Sequence, residues 1–319
     1  MPVLRVVRSL SEAVGLRATN AAVTVGVFDG VHSGHRYILD RLVKAKHSGS
    51  VESCFLVTFD PHPIVVTHSR ETPPMLTTID ERVHLLSEFD LDGILVLTFD
   101  KVLAGVHYRD FLVDYLVKPF DMRLLVLGYD NHLGRNREGS PEKVTRLAKE
   151  MGLDVDIVEA VKNSDHIVSS AEIRNAIETG NLGEANRFLG HPYLISGSVV
   201  EGEGRGRDLG FPTANIGLID PCKLRPAQGV YAVRVKVRKT MYKGMMNVGR
   251  APTMKSLPEG ARNIEVHLFD FDGDLYGEKV LVFCHAFLRE ERKFPSAQDL
   301  ADQLAKDKVS ALERLREGH

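Results

Sequence analysis

Along the first 185 residues, short apolar runs alternate with stretches whose apolar positions recur at helical spacing. Residues 23–27, 54–59, 94–97, 124–127 and 155–158 are apolar almost throughout, which predicts strands covered on both faces. Residues 36–46, 80–88, 108–116 and 142–151 predict amphipathic helices; in the first, Ile38, Leu39, Leu42 and Val43 share one face. This alternation predicts an α/β unit built on a parallel sheet, closed by two further helices at 171–179 and 182–189.

After His191-Pro192 the rhythm changes. Residues 196–200, 229–236, 242–248, 264–269 and 279–287 read as strands, and no helix is predicted until 297–316. Asp272-Gly273, between two of these runs, favours a tight hairpin. Antiparallel strands followed by one helix predict a small β-barrel. The expected division is 1–187 and 188–319.

The length, 319 residues, suits two such domains. Lys and Arg (41) nearly balance Asp and Glu (43), so no broad basic face for a nucleic-acid backbone is expected; a local pocket for a small anion remains open. No run approaches the roughly 18 apolar residues of a membrane span, and the first residues lack the apolar core of a signal peptide. Cys54, Cys222 and Cys284 form no CxxC pair; buried, reduced thiols in a cytoplasmic protein are expected. Nothing in the pattern sets an oligomeric state.

Two stretches carry candidate chemistry. In VTVGVFDGVHSGHRYILD, Gly26, Gly30 and Gly34 surround His32 and His35 between the first strand and the first helix. A helix start offers unpaired amides and the positive end of the macrodipole, and glycines let backbone approach a phosphate. Two imidazoles three residues apart can reach one phosphate group. Paired histidines can also ligate zinc, but no HExxH or cysteine set accompanies them.

In the second half, GEGRGRDLGFPTANI offers Gly202, Gly204 and Gly206. It is not a Walker motif, and Pro212 interrupts the helix that a dinucleotide fingerprint needs. Thr213 and Asn215 fall on one side of an extended segment, with oxygen atoms suited to Mg²⁺ carried on a nucleotide. In Asn263-Ile264-Glu265-Val266-His267-Leu268, the aliphatics alternate with Glu265 and His267, so a carboxylate is presented on the face away from the core, where it could act as a general base. A plain surface glutamate and a polar turn are the bland readings of the same residues.

FDGVHSGH resembles the HxGH signature of the α/β nucleotidyltransferases, whose fold is Rossmann-like. With TFDPHP at 58–63, GYDNHLGRNREG at 128–139 and VSSAEIR at 168–174, it resembles the FAD synthetase module of the bacterial bifunctional riboflavin kinase/FAD synthetase family. GFPTAN, GVYAVRV, NVGRAPT, IEVHLFDFDGDLYG and FLREERKF resemble the riboflavin kinase module of that family, an all-β six-stranded barrel with a C-terminal helix. The first resemblance implies ATP contacts at Gly26, Phe28, Asp29, Gly30, His32, Gly34, His35, Ser169, Ser170 and Arg174. It implies flavin contacts at Asp60, Pro61, His62 and Asp130. The second implies Mg-ATP at Thr213 and Asn215 with the loop glycines 202, 204 and 206, flavin contacts at Glu265 and Arg289, and Glu265 as the base. Riboflavin, FMN, FAD and ATP would be the substrates and products.

The sequence departs from the family at Asn131, His132 and Leu133, where Phe-Arg-Phe is usual, at Ala171 in place of Thr, and at Ile64 in place of Arg. Three alternatives therefore stay open: a riboflavin kinase with a weakened or inactive synthetase module, a non-catalytic flavin-binding protein, and a cytidylyltransferase, which would leave the second half unexplained.

Overall fold

The computed structural model describes residues 4–67, 72–160, 162–163, 166–201, 210–218, 220–250 and 262–316. They form two compact units, one from Met1–Pro73 with Arg82–Ser169, the other from Pro74–Glu81 with Ser170–His319.

The first unit is a parallel sheet of β1 (Arg5–Val7), β2 (Ala21–Val25), β3 (Ser53–Asp60), β4 (Gly93–Thr98), β5 (Met122–Gly128) and β6 (Asp154–Val158), in the order β1-β4-β3-β2-β5-β6. All five predicted strands are present. The sequence pattern missed β1 because it has only three residues, two of them exposed. Every residue of β2 is buried. Ala21, Val23 and Val25 join Phe55, Leu95 and Leu125 in a core with Phe111, Leu112, Leu116 and Phe120, each large side chain contributing about 1.5–3 kcal/mol through burial. The predicted helix at 108–116 is in fact a π-helix, Phe111–Val117, between short α-helical pieces. The wider turn still brings Phe111, Leu112 and Leu116 inward. A two-stranded ribbon, β7 (Lys162–Asn163) with β8 (His166–Ile167), follows.

The second unit is a closed antiparallel barrel of β9 (Tyr193–Val200), β10 (Ala214–Leu218), β11 (Gly229–Val237), β12 (Thr240–Arg250), β13 (Arg262–Leu268) and β14 (Lys279–Arg289), in the order β10-β13-β12-β11-β14-β9. The chain crosses closely between β9 and β10: a Cβ at Gly197 would lie 2.6 Å from Gly217 O. The terminal helix, Ala297–Arg314, starts at Ser296, whose hydroxyl accepts from Asp299 N (3.1 Å). It packs Ala311 against Ala232, Met245 and Phe269, with Leu315 just beyond its end. The helices Ser170–Glu178 and Leu182–Leu189, expected from the sequence to close the first half, belong to this unit instead. Asn186 on the second of them donates to Cys284 O (2.9 Å) and accepts from Tyr193 N (2.9 Å).

Two further sequence expectations are corrected. Asp272-Gly273 does not close a hairpin, because β13 pairs with β10 and β12 while β14 pairs with β11 and β9. Gly273 also lacks the positive φ that the favoured turns require. Cys222 is exposed, whereas Cys54 and Cys284 are buried. It lies in a turn where its amide donates to Asp220 Oδ1 (2.8 Å).

Segment Pro74–Glu81 is tied into the barrel unit by a parallel bridge from Met75 to Lys223 and by an ion pair between Glu81 and Lys223. No helix among the described residues is long and apolar enough to cross a membrane.

Candidate functional site

The first candidate site grows from the carboxyl end of β2. Phe28, Gly30 and Val31 take φ of 54°, 83° and 43°. Glycine adopts such angles freely, but a phenylalanine and a β-branched valine do not, so strain is concentrated in this loop. His32 then caps the helix Ser33–His47, its Nδ1 accepting from His35 N (3.4 Å). The two imidazoles stack at 3.6 Å with 18° between their planes. A Cβ at Gly34 would come within 3.2 Å of His32 Cε1, so the glycine makes room for the stack. His35 Nδ1 is buried without a hydrogen-bond partner. Burial above all, then His32 and Arg82, holds the His35 pKa well below the usual histidine range. The pair is thus a polar patch at a helix start, with His35 neutral.

Arg82 is a residue the sequence did not single out. Buried, it donates from Nη1 to Thr58 Oγ1 (3.2 Å) and Phe59 O (3.1 Å), and Thr58 Oγ1 donates to Val27 O (3.0 Å). A cation is thereby linked to the backbone of the strained loop. The only sequence signal was its place on a predicted helix.

Strand order reverses between β2 and β5, which is where open parallel sheets take ligands, outside the carboxyl ends. There the Asn131 side-chain amide donates to Val25 O, joining the two strand ends. Asp130 is exposed; its carbonyl accepts from Arg137 Nη2 (3.2 Å), which also reaches His132 Nδ1 (3.1 Å). Leu133 is buried. Asn131, His132 and Leu133, three of the residues that depart from the family pattern, are therefore built into the loop. On β3, Asp60 lies 3.9 Å from Arg8, Pro61 follows it through a cis peptide bond, and His62 Nδ1 accepts from Ile64 N (3.1 Å). Ser169 is the last residue of the first unit, and Ser170 opens the longer stretch of the second. Arg174 donates from Nε to Pro74 O (2.7 Å).

The second candidate site lies on the barrel. Asn215 on β10 stands opposite Glu265 on β13. Asn263 Nδ2 donates to both Asn215 Oδ1 (3.1 Å) and Glu265 Oε1 (2.9 Å), so one amide spans the two. Two residues further along β13, His267 donates from Nδ1 to Pro212 O (2.8 Å), fixing the chain just ahead of Thr213. Burial, the largest influence, lowers the His267 pKa. Beside Thr213 opens a cavity of about 310 Å³, whose wall includes Val199, Leu268, Phe271, Tyr276 and the acidic Asp272 and Asp274. Asn215 and Glu265 are not part of its lining. Arg289 is committed elsewhere: its guanidinium grips Asp307 on the terminal helix through three contacts of 2.7–3.0 Å. Gly202, Gly204 and Gly206 lie outside the described residues.

Thr213, Asn215 and Glu265 carry hard oxygen donors, the kind Mg²⁺ prefers, and an amide oxygen that accepts one hydrogen bond keeps a second lone pair. Of these, the Thr213 and Asn215 oxygens fit a nucleotide-borne Mg²⁺. No group of three or more His, Cys, Asp or Glu among the described residues is arranged to hold a metal by itself.

A parallel sheet with paired histidines at its switch point, and a closed barrel with an Asn–Glu strand pair, define a transferase of two modules. Residues 16–172 match the FAD synthetase family model and 189–315 the riboflavin kinase model. The chain is 33% identical to the bifunctional riboflavin kinase/FMN adenylyltransferase of Escherichia coli (strain K12), over 98% of this chain and 97% of that one. It is 35% identical to the protein of the same description from Listeria monocytogenes, over 90% of each, and 31% identical to that of Bacillus subtilis (strain 168), over 92% of each. A crystal structure described as a macrolide-efflux protein from Streptococcus pneumoniae superposes with a TM-score of 0.81 at 30% identity, covering 94% of this chain and 95% of that one. The chain belongs to the bifunctional riboflavin kinase/FMN adenylyltransferase family.

Proposed function

We propose that the barrel unit converts riboflavin and ATP to FMN and ADP, and that the sheet unit converts FMN and ATP to FAD and pyrophosphate. The observation that carries this is the Asn215–Asn263–Glu265 network, which brings an amide oxygen and a carboxylate together across β10 and β13, two positions along the chain from Thr213. In the kinase step, Glu265 takes the proton of the terminal ribityl hydroxyl. The hydroxyl oxygen bonds to the γ-phosphorus, the bridge to the β-phosphate breaks, and ADP departs with that electron pair. Thr213 and Asn215 would hold Mg²⁺ on the triphosphate, where it neutralises phosphate charge when bound. The cavity beside Thr213, with both apolar side chains and the carboxylates of Asp272 and Asp274 in its wall, suits the base of the nucleotide.

In the second step an FMN phosphate oxygen bonds to the α-phosphorus of ATP and pyrophosphate leaves. No side chain is adenylylated. His32 and His35 donate hydrogen bonds where charge develops, and the helix start adds its amides. Asp60, Pro61, His62 and Asp130 are assigned to the flavin, with Gly26, Phe28, Asp29, Gly30, Gly34, Ser169, Ser170 and Arg174 assigned to ATP. Arg289 is assigned to the flavin with Glu265, while its contacts to Asp307 hold the last strand to the terminal helix. We keep 187/188 as the functional boundary, and place both reactions in the cytoplasm, where ATP and free thiols coexist.

The test is Glu265→Gln. FMN formation should fall by about 100- to 10,000-fold, while riboflavin binding, followed by flavin fluorescence, stays within a few-fold of the unaltered protein. Undiminished turnover would remove Glu265 as the base.

A further inference from the structure

We infer that Asn263 is a positioning residue of the kinase site, fixing Glu265 against Asn215 through the two N–H bonds of one side-chain amide. The inference rests on the kinase reading above. A primary amide nitrogen carries two hydrogens in a planar fork. Here one is directed at Asn215 Oδ1 (3.1 Å) and the other at Glu265 Oε1 (2.9 Å). Because Asn215 and Glu265 are cross-strand partners and Asn263 precedes Glu265 by two positions, all three side chains leave the same face of the sheet. The bonds fix both the separation of the pair and the rotation of the carboxylate, which selects the oxygen that meets the hydroxyl.

The surroundings keep Asn263 in this role. Gly249 lies opposite it on β12 and has no side chain. The space a Cβ would take there is bounded by Glu291 Oε1 at 2.6 Å and Asn247 Nδ2 at 3.1 Å. A larger residue at 249 would press on Glu291 and on Asn247, the residue that stands opposite Glu265. Placement matters because a displacement of about 1 Å between base and hydroxyl costs on the order of 100-fold in rate.

The experiment uses the full chain with Asn263→Ala, Asn263→Asp and Asn263→Gln, beside Glu265→Gln. FMN formation is followed to separate kcat from KM, and riboflavin binding is followed by fluorescence without ATP or Mg²⁺. Asn263→Asp keeps the shape but removes the donors and adds a second carboxylate, so it guards against a fold lost through truncation. The expected result is a kcat lower by about tenfold or more in the Ala and Asp variants. KM for riboflavin and riboflavin affinity should stay within threefold, and the amide-bearing Gln variant should regain part of the rate. Wild-type kcat in Asn263→Ala, with Glu265→Gln inactive, would overturn the inference while leaving the kinase reading intact. Parallel loss of kcat, affinity and melting temperature in Asn263→Asp would overturn it too, as the mark of a purely structural residue. Full activity in Glu265→Gln would instead remove the reading on which the inference stands.

Discussion

Glu81 Oε2 and Lys223 Nζ stand 2.7 Å apart with both side chains wholly out of water. The pair is stable because no polar group in it is left over. Lys223 also donates to Leu76 O (2.5 Å) and Leu194 O (2.6 Å), and Glu81 accepts from Ser196 N (2.6 Å) and Thr78 N (2.9 Å). Tyr193 presents its ring face to the ammonium at 4.3 Å. Removing one partner of such a pair strands the other charge, at about 3–5 kcal/mol. Lys223→Met should lower the melting temperature clearly, and the double variant Glu81→Met/Lys223→Met should recover much of the loss. A single variant that melts like the unaltered chain would contradict this.

The stacked histidines lead to a second expectation. Loss of one donor to developing charge typically costs about 100- to 1,000-fold in kcat, so His35→Ala should reduce FAD formation from FMN by that order. FMN formation from riboflavin should be unchanged. Arg82→Met should lower FAD formation as well, because its bond to Thr58, the residue whose hydroxyl holds Val27 O, is lost. Equal effects on both reactions would count against the assignment of His35 to the adenylyl site.

Three histidines make the fold sensitive to acid. Burial lowers the pKa of His35 and His267, and burial followed by Arg234 lowers that of His285 to about 4. Each is neutral in the folded chain at a pH where the unfolded chain, titrating near 6.5, already binds a proton. The unfolded state then holds more protons, so stability declines as pH falls below about 6.5, and for His285 the decline runs to about 4. Melting temperatures at pH 7.5 and pH 5 should show the drop, and His285→Gln should shrink it.

Thiol labelling separates the cysteines. Burial pushes Cys54 and Cys284 up to about 12, leaving them as unreactive thiols, whereas Cys222 is exposed. Treatment of the native chain with a maleimide, read by peptide mass spectrometry, should modify Cys222 first.

Much of this was legible in the sequence where a local rule governs. Alternation along 263–268 put Glu265 on the side opposite Ile264 and Val266, and the structure buries those two aliphatics. The glycine-spaced histidines announced a strand–helix junction, and the His32 cap is such a junction. Long-range pairing was not legible. Nothing local marks Glu81 as the partner of a lysine 142 positions later, and no spacing rule gives Asn263 two acceptors on two strands. The Asp272-Gly273 hairpin failed for the same reason, since turn chemistry fixes a local bend but barrel closure decides which strands pair.

A product time course from riboflavin, ATP and Mg²⁺ with the purified chain, separated by chromatography, bears most directly on two sites acting in sequence. FMN should accumulate first, with FAD rising after a lag as FMN is consumed. FMN that accumulates without FAD, even when FMN is supplied directly with ATP, would contradict an active adenylyl site at His32 and His35; a complete lack of FMN would contradict the kinase site at Thr213, Asn215 and Glu265.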